Sequence, residues 1–232
     1  MVQDDQIQRV MDLLAEAQSP PYGPATFASS FGAGNMVLTD LISKNAPGIE
    51  IFTLDTGRLP EETYRLMQAA KEKYPVPIRI FFPDPGLVES YVTEQGPNAF
   101  YQSFELRREC CRIRKVEPLK RALTGKGSWL TALRRDQSTS RRDLPFLEHD
   151  TTYGLYKFNP LADWTADDVW SYIRNFNVPY NALFDKGYTS IGCEPCTRAV
   201  SPGEDIRAGR WWWEGHDLSK KECGLHLKKT ES

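Results

Sequence analysis

From Thr26 to Leu133 the chain alternates short apolar runs with helix-spaced segments over short links, and this alternation constrains its fold more than any other feature. The apolar runs reach Phe31, then cover Ile49–Leu54, Ile78–Phe82 and Trp129–Leu133. Between them the spacing predicts helices over about 35–44 and 60–74, then a long helical stretch up to Leu123, interrupted near Gly96-Pro97. Pro60 followed by Glu61 and Glu62 makes a good first turn, since proline has no N–H to waste there and the carboxylates face the positive end of the helix dipole. Strands alternating with helices predict an α/β fold: a mostly parallel sheet with helices on both faces and a flexible C-terminal tail. Ahead of it, Ile7, Val10, Met11 and Leu14 mark a helix stopped by Pro20, Pro21 and Pro24. Behind it, Thr165 caps a helix with Val169, Trp170, Ile173 and Phe176 on one face, and nothing periodic follows Pro179. The expected organisation is a helical arm at 1–24, a main domain at 25–210 and a tail at 211–232.

Charge excludes some functions. With 29 Lys+Arg against 31 Asp+Glu, the net charge of −2 gives no bulk electrostatic case for wrapping a nucleic acid. No run of about eighteen apolar residues is present to span a bilayer. Asp4, Asp5 and Asp12 break the basic-then-apolar order of a signal peptide, so a cytoplasmic location with no membrane partner is expected. An odd count of 5 Cys cannot pair off internally, which turns attention from disulfides to metal binding or thiol chemistry.

Ligands of a parallel sheet sit beyond the carboxyl ends of its strands. Here those ends carry Ser29-Ser30-Phe31-Gly32-Ala33-Gly34-Asn35, Asp55-Thr56-Gly57-Arg58 and Arg134-Arg135-Asp136-Gln137-Ser138, which should converge on one pocket. The first offers backbone N–H groups to an anion but lacks the lysine of a nucleotide P-loop, and taken singly it reads as a plain turn before an anion site. Basic residues gather at Arg112, Arg114 and Lys115, at Arg134, Arg135, Arg141 and Arg142, and at Arg207 and Arg210. Such runs are often only solvated faces, yet these adjoin a Cys motif or a strand end, where Arg forks suit phosphate or sulfate oxygens.

Cysteine spacing is the most specific signal. Cys110-Cys111 and the CxxC of Cys193-Glu194-Pro195-Cys196 supply two pairs, and Cys223 is left over. Three readings stand: a redox-active dithiol at the CxxC, a structural zinc held by all four paired cysteines, and an iron–sulfur cluster. The dithiol reading is weakened by the late loop position of the CxxC. Adjacent cysteines diverge along a backbone and reach one tetrahedral ion awkwardly, so spacing favours the wider cluster over zinc. Cys223, between Lys220, Lys221 and His226, is either an incidental surface thiol or a nucleophile with a lowered pKa.

Taken together, SSFGAGN at 29–35, LDTGR at 54–58, CCRIRKVEPL at 110–119, LRRDQS at 133–138, GCEPCTR at 192–198 and ECGLH at 222–226 resemble the assimilatory sulfonucleotide reductases, in particular the iron–sulfur type acting on adenosine 5′-phosphosulfate. The resemblance spans about Thr26 to His226. It implies an adenine nucleotide α-hydrolase-like fold, with nucleotide and cluster in 25–210 and a mobile catalytic tail in 211–232. It also implies a [4Fe–4S] cluster on Cys110, Cys111, Cys193 and Cys196, with Cys223 as the catalytic thiol. Ser29, Ser30, Leu54 and Arg142 would line the nucleotide, and Lys115, Arg207 and Arg210 would hold the phosphosulfate. The implied reaction yields sulfite and AMP through an S-sulfocysteine, with thioredoxin as electron donor, in sulfate assimilation toward cysteine. A reductase of the 3′-phosphorylated nucleotide and a zinc-stabilised nucleotide-binding module without turnover are the alternatives. Two departures stand out: Gly34-Asn35 where the family commonly has Glu-Asp, and Ala132 where it commonly has Gly, with altered affinity expected.

Overall fold

The computed structural model describes residues 3–138 and 141–214. Its strands are β1 (Ala25–Ala28), β2 (Glu50–Leu54), β3 (Ile78–Phe81), β4 (Ser128–Leu130), β5 (Leu147–Asp150) and β6 (Leu155–Phe158). The helices are α1 (Asp4–Gln18), α2 (Ala33–Asn45), α3 (Glu61–Lys73), α4 (Pro85–Gln95), α5 (Phe104–Cys111), α6 (Glu117–Leu123) and α7 (Ala166–Asn175). One six-stranded sheet runs in the order β3-β2-β1-β4-β6-β5. β1 pairs parallel with β2 and β4, and β4 pairs parallel with β6. The sheet is therefore mostly parallel, as the alternation predicts. Its order reverses at β1, which has β2 on one side and β4 on the other, and such a switch point opens a crevice at the carboxyl ends of its strands.

Strand β6 and its antiparallel partner β5 fall outside the expected strands. Their sequences, LYKF and LEHD, carry too much charge to read as buried strands. The charge is accommodated because Glu148 and Lys157 face each other in register and form an ion pair at 3.2 Å. The apolar run through Phe31 also ends as a strand earlier, at Ala28, and Phe31 takes a left-handed φ of 58° that no strand allows. The long helical stretch breaks into α4, α5 and α6, with a wider π turn at Arg112–Val116 between the last two.

Two compact units divide the chain. The first comprises residues 1–53, 61–79 and 125–181, and the second 54–60, 80–124 and the described residues from 182 on. The first unit holds a core of Phe27, Ile51, Leu130 and Phe158 from the sheet, Met36, Leu38 and Ile42 from α2, and Trp164, Val169 and Ile173 around α7. Residues buried on every side of α2 make it a core helix, and its one buried acid, Asp40, accepts from Tyr172 Oη at 2.8 Å and from Lys44 Nζ at 2.7 Å. Val10, Leu14 and Ala17 of α1 belong to this same core. In the second unit, smaller clusters gather Phe100, Cys193, Cys196 and Trp211, and Tyr91, Ala99 and Ile113.

The cap on α7 matches the one expected from the sequence and is reciprocal. The Asp168 N–H donates to Thr165 Oγ1 at 3.2 Å, and the Thr165 N–H donates to Asp168 Oδ2 at 2.9 Å. Thr165→Ala is expected to cost about 1 kcal/mol, read as a lowered urea midpoint with an unchanged m-value.

Candidate functional site

In the second unit the turn after β2 is built on side-chain acceptors. The Gly57 N–H donates to Asp55 Oδ1 at 2.8 Å, Gly57 takes the φ of +70° that glycine tolerates, and the Arg58 N–H donates to Thr56 Oγ1 at 3.2 Å. This turn reaches both cysteine motifs. The Glu194 N–H of the CxxC donates to Arg58 O at 2.8 Å, and Thr56 Oγ1 lies 3.3 Å from Cys193 Sγ in a hydrogen bond. Arg114, within the π turn after the double cysteine, donates to Thr56 O at 2.7 Å. Arg58 donates to Pro97 O at 2.6 Å and Asn98 Oδ1 at 3.1 Å, with its guanidinium 4.7 Å from the centroid of the Phe100 ring.

These ties bring Cys110, Cys111, Cys193 and Cys196 to the wall of a single pocket of about 320 Å³, its open mouth counted, together with Lys115 and three arginines, Arg58, Arg107 and Arg114. Cys193 and Cys196 are buried, and the other two are partly buried. Burial is the main force on the Cys196 thiol, and with the neighbouring Cys193 it pushes the pKa up to about 12 against the pull of Lys115 and Arg210. Burial raises Cys110 as well, opposed by Arg114 and Arg58. Thiols this reluctant to ionise in an apolar wall call for a strongly positive group or the surrounding cations to hold them as thiolates. Among the described residues no group of three or more His, Cys, Asp or Glu is arranged to hold a metal ion.

Arg210 is buried beside this pocket's CxxC. Its guanidinium stacks 4.7 Å from the Trp211 ring centroid, and Thr197 bridges to it through the backbone. Gly192 makes the space, since a Cβ there would lie 2.5 Å from Arg210 Nη2. The Arg207 N–H donates to Asp205 Oδ1 in the preceding turn. Leu54, the last residue of β2, also falls in this unit. Cys223 lies outside the described residues.

In the first unit, Ser29 and Ser30 follow β1 at the switch point. Ser29 is buried and its N–H donates to Phe52 O at 2.8 Å, whereas Ser30 is exposed and its Oγ donates to Asn35 Oδ1 at 2.8 Å. Phe31 holds its left-handed backbone in this loop, immediately before α2. The two departures from the family pattern meet here: a Cβ on Gly34 would lie 3.6 Å from Ala132 Cβ and 3.2 Å from Arg134 Nη1. Arg134 itself pairs with Asp136 at 3.0 Å. Arg142 is exposed, in the turn at 141–143. Arg58 was expected near the site only as part of the strand-end run at 55–58, with no role of its own, and Arg107 was not expected there. Arg107 lies three and four positions before the double cysteine, on the same helix face, so helical spacing carried that signal.

The match to the phosphoadenosine phosphosulfate reductase domain covers residues 24–199. The chain belongs to this family. Among reviewed relatives, an adenosine 5′-phosphosulfate reductase of Neisseria meningitidis is 55% identical over 203 residues, covering 87% of this chain and 82% of the relative. Another from Allochromatium vinosum is 52% identical over 203 residues, covering 88% and 78%. The family's fold is seen in a phosphoadenylyl-sulfate reductase from Candida auris, at 27% identity and a TM-score of 0.70, over 86% of this chain and 98% of that one. A Candida glabrata FMN adenylyltransferase, at 16% identity and a TM-score of 0.56 over 98% of this chain and 74% of that one, shares the fold. No helix among the described residues is long and apolar enough to cross a membrane.

Arg58 is the side chain that joins the 97–98 turn to the loop after β2. Arg58→Met is expected to lower stability by about 1–2 kcal/mol through the loss of hydrogen bonds made by a charged group. Amide hydrogen exchange should rise at 97–103, while the Glu194 N–H, bonded to the Arg58 carbonyl that methionine keeps, should stay protected; unchanged protection at 97–103 would show that the arginine does not hold that segment.

Proposed function

We propose that this chain reduces adenosine 5′-phosphosulfate to sulfite and AMP, in sulfate assimilation toward cysteine in the cytoplasm, with thioredoxin as the electron donor. The observation that carries the reading is the meeting of both cysteine pairs at one cation-lined pocket, in a chain about half identical to reductases named for that substrate. The four thiols at this wall come from an adjacent pair and a CxxC, a donor set of the kind that holds a [4Fe–4S] cluster, here on Cys110, Cys111, Cys193 and Cys196. When bound, the cluster would hold the four cysteines as thiolates at this wall.

In this reading Ser29, Ser30, Leu54 and Arg142 line the nucleotide, and Lys115, Arg207 and Arg210 hold the phosphosulfate. The domain is 25–210 and the tail 211–232 carries the nucleophile. The Cys223 thiolate attacks the sulfate sulfur, the S–O bond to the AMP phosphate breaks, and AMP leaves with the bonding pair. A thioredoxin thiolate then attacks Cys223 Sγ, and sulfite leaves with the S–S electron pair. The second thioredoxin thiol resolves the mixed disulfide, so the dithiol supplies both electrons and Cys223 is restored. Cations around the sulfate disperse the charge that builds on the phosphate as AMP departs.

A thioredoxin-coupled sulfite assay tests the substrate. The kcat/KM is expected to be higher for adenosine 5′-phosphosulfate than for its 3′-phosphorylated relative at the same salt, and equal or reversed values would refute this preference. Cys223→Ser should keep nucleotide binding and release no sulfite.

Cofactor content is a separate measurement. Protein purified without oxygen should contain about four iron and four acid-labile sulfide per chain, as a cubane held by four cysteines requires. One zinc and no sulfide would establish the zinc-stabilised alternative.

A further inference from the structure

Every carbonyl of the CxxC turn has a donor. Cys193 O accepts from the Cys196 N–H at 3.0 Å and from Thr197 Oγ1 at 2.9 Å, Glu194 O from the Thr197 N–H at 3.2 Å, and Cys196 O from the Trp211 N–H at 3.2 Å. Those donors all lie between 196 and 211, in the arm that carries the turn itself. Pro195 O differs, because it accepts from Tyr101 Oη at 2.8 Å. Tyr101 is nine residues ahead of Cys110, in the segment that leads into α5, so this bond joins the approach to one cysteine pair to the middle of the other. The Tyr101 ring is held in turn, edge-on to Trp213 at 4.4 Å between centroids and 4.4 Å from Phe100, which packs with Cys193, Cys196 and Trp211. Burial and the neighbouring Cys196 raise its pKa, which keeps the hydroxyl protonated as a donor. Further along, α5 is tied to the same arm by Arg107, which donates to both carboxylate oxygens of Glu214, at 2.5 and 3.0 Å. That pair lies beyond the turn, whereas Tyr101 bonds inside it.

We infer that Tyr101 is a positioning residue for the CxxC: through Pro195 O it fixes the peptide plane from which Cys196 hangs, and so sets that thiol against Cys110 and Cys111. The inference rests on the proposed reading of these cysteines as cluster ligands. The peptide unit between Pro195 and Cys196 is planar and carries two polar groups, the Pro195 carbonyl and the Cys196 N–H. Cys193 O holds the N–H within the 3₁₀ turn Glu194–Cys196, and Tyr101 holds the carbonyl from outside it. A plane gripped at both edges does not rotate, and the proline ring fixes the dihedral on its other side. The apolar cluster of Phe100, Cys193, Cys196 and Trp211 presses the same segments together, but burial is non-directional and leaves that rotation free. Tyr101 is 40% exposed, so water can take the place of its hydroxyl on the carbonyl. Loss of the hydroxyl therefore frees the plane without leaving a buried acceptor unpaired, which separates its effect on the thiols from an effect on the fold.

The experiment uses full-length protein purified without oxygen and compares wild type with Tyr101→Phe, which removes one oxygen and keeps the ring on Phe100 and Trp213. Three quantities are measured: the visible circular dichroism of the cluster, which reports the handed arrangement of its cysteines, the rate at which an iron chelator strips it, and the urea midpoint of the protein. Tyr101→Phe should change the shape of the visible dichroism bands and release iron about fivefold faster, the factor that one neutral hydrogen bond supplies. The urea midpoint should stay near that of wild type, since the carbonyl passes to water. Wild-type dichroism and wild-type iron release in the variant would overturn the inference. Faster release with wild-type dichroism and a midpoint lowered to match would also overturn it, because the bond would then support the fold and not the placement of the thiol. A wild-type protein holding neither iron nor sulfide would instead strike the cluster reading itself.

Discussion

Four thiols drawn from segments more than eighty residues apart can share one wall only where backbone and cations hold both segments still. The turn after β2 does most of this holding. A hydroxyl, a carbonyl and a guanidinium from Thr56 and Arg58 reach the CxxC, the π turn and the approach to α5. Burial raises the cost of ionising Cys110 and Cys196, and Arg58, Arg114, Lys115 and Arg210 lower it. The pocket is therefore an electrostatic balance, in which thiol acidity depends on arginines whose positions depend on the same turn.

How far this was legible depends on whether the cause is local. The parallel sheet followed from apolar runs alternating with helical spacing, because buried parallel strands leave that mark. The cap on α7 followed from Thr165 and its acids for the same reason. The β5–β6 hairpin was not legible, because its strands carry Glu148 and Lys157, whose pairing across the hairpin is invisible to a one-dimensional pattern. At the site, the cysteine motifs announced themselves by spacing and family resemblance. Arg58 was legible only as a member of the strand-end run at 55–58, because its role comes from partners at 97, 98 and 194 that the folded chain brings near. Arg107 sits between these cases, since its helical register with the cysteines is written in the sequence while its partner Glu214 is 107 residues away.

The second unit also explains why two glycines near its cysteines are not interchangeable with other residues. Gly57 is needed for its left-handed backbone, which lets the Asp55 and Thr56 side chains close the turn. Gly192 is needed for volume alone, because the Arg210 guanidinium occupies the place of its missing side chain. One supplies a conformation and the other a vacancy, and both precede residues that meet the pocket.

In the first unit, a Cβ at Gly34 would meet the Ala132 methyl at 3.6 Å, an ordinary contact, and Arg134 Nη1 at 3.2 Å, a tight one. Added bulk at 34 would therefore press on the guanidinium, which Asp136 holds at 3.0 Å, and not on the methyl at 132. A side chain at 34 would be felt at the far end of the strand turn as a displaced arginine.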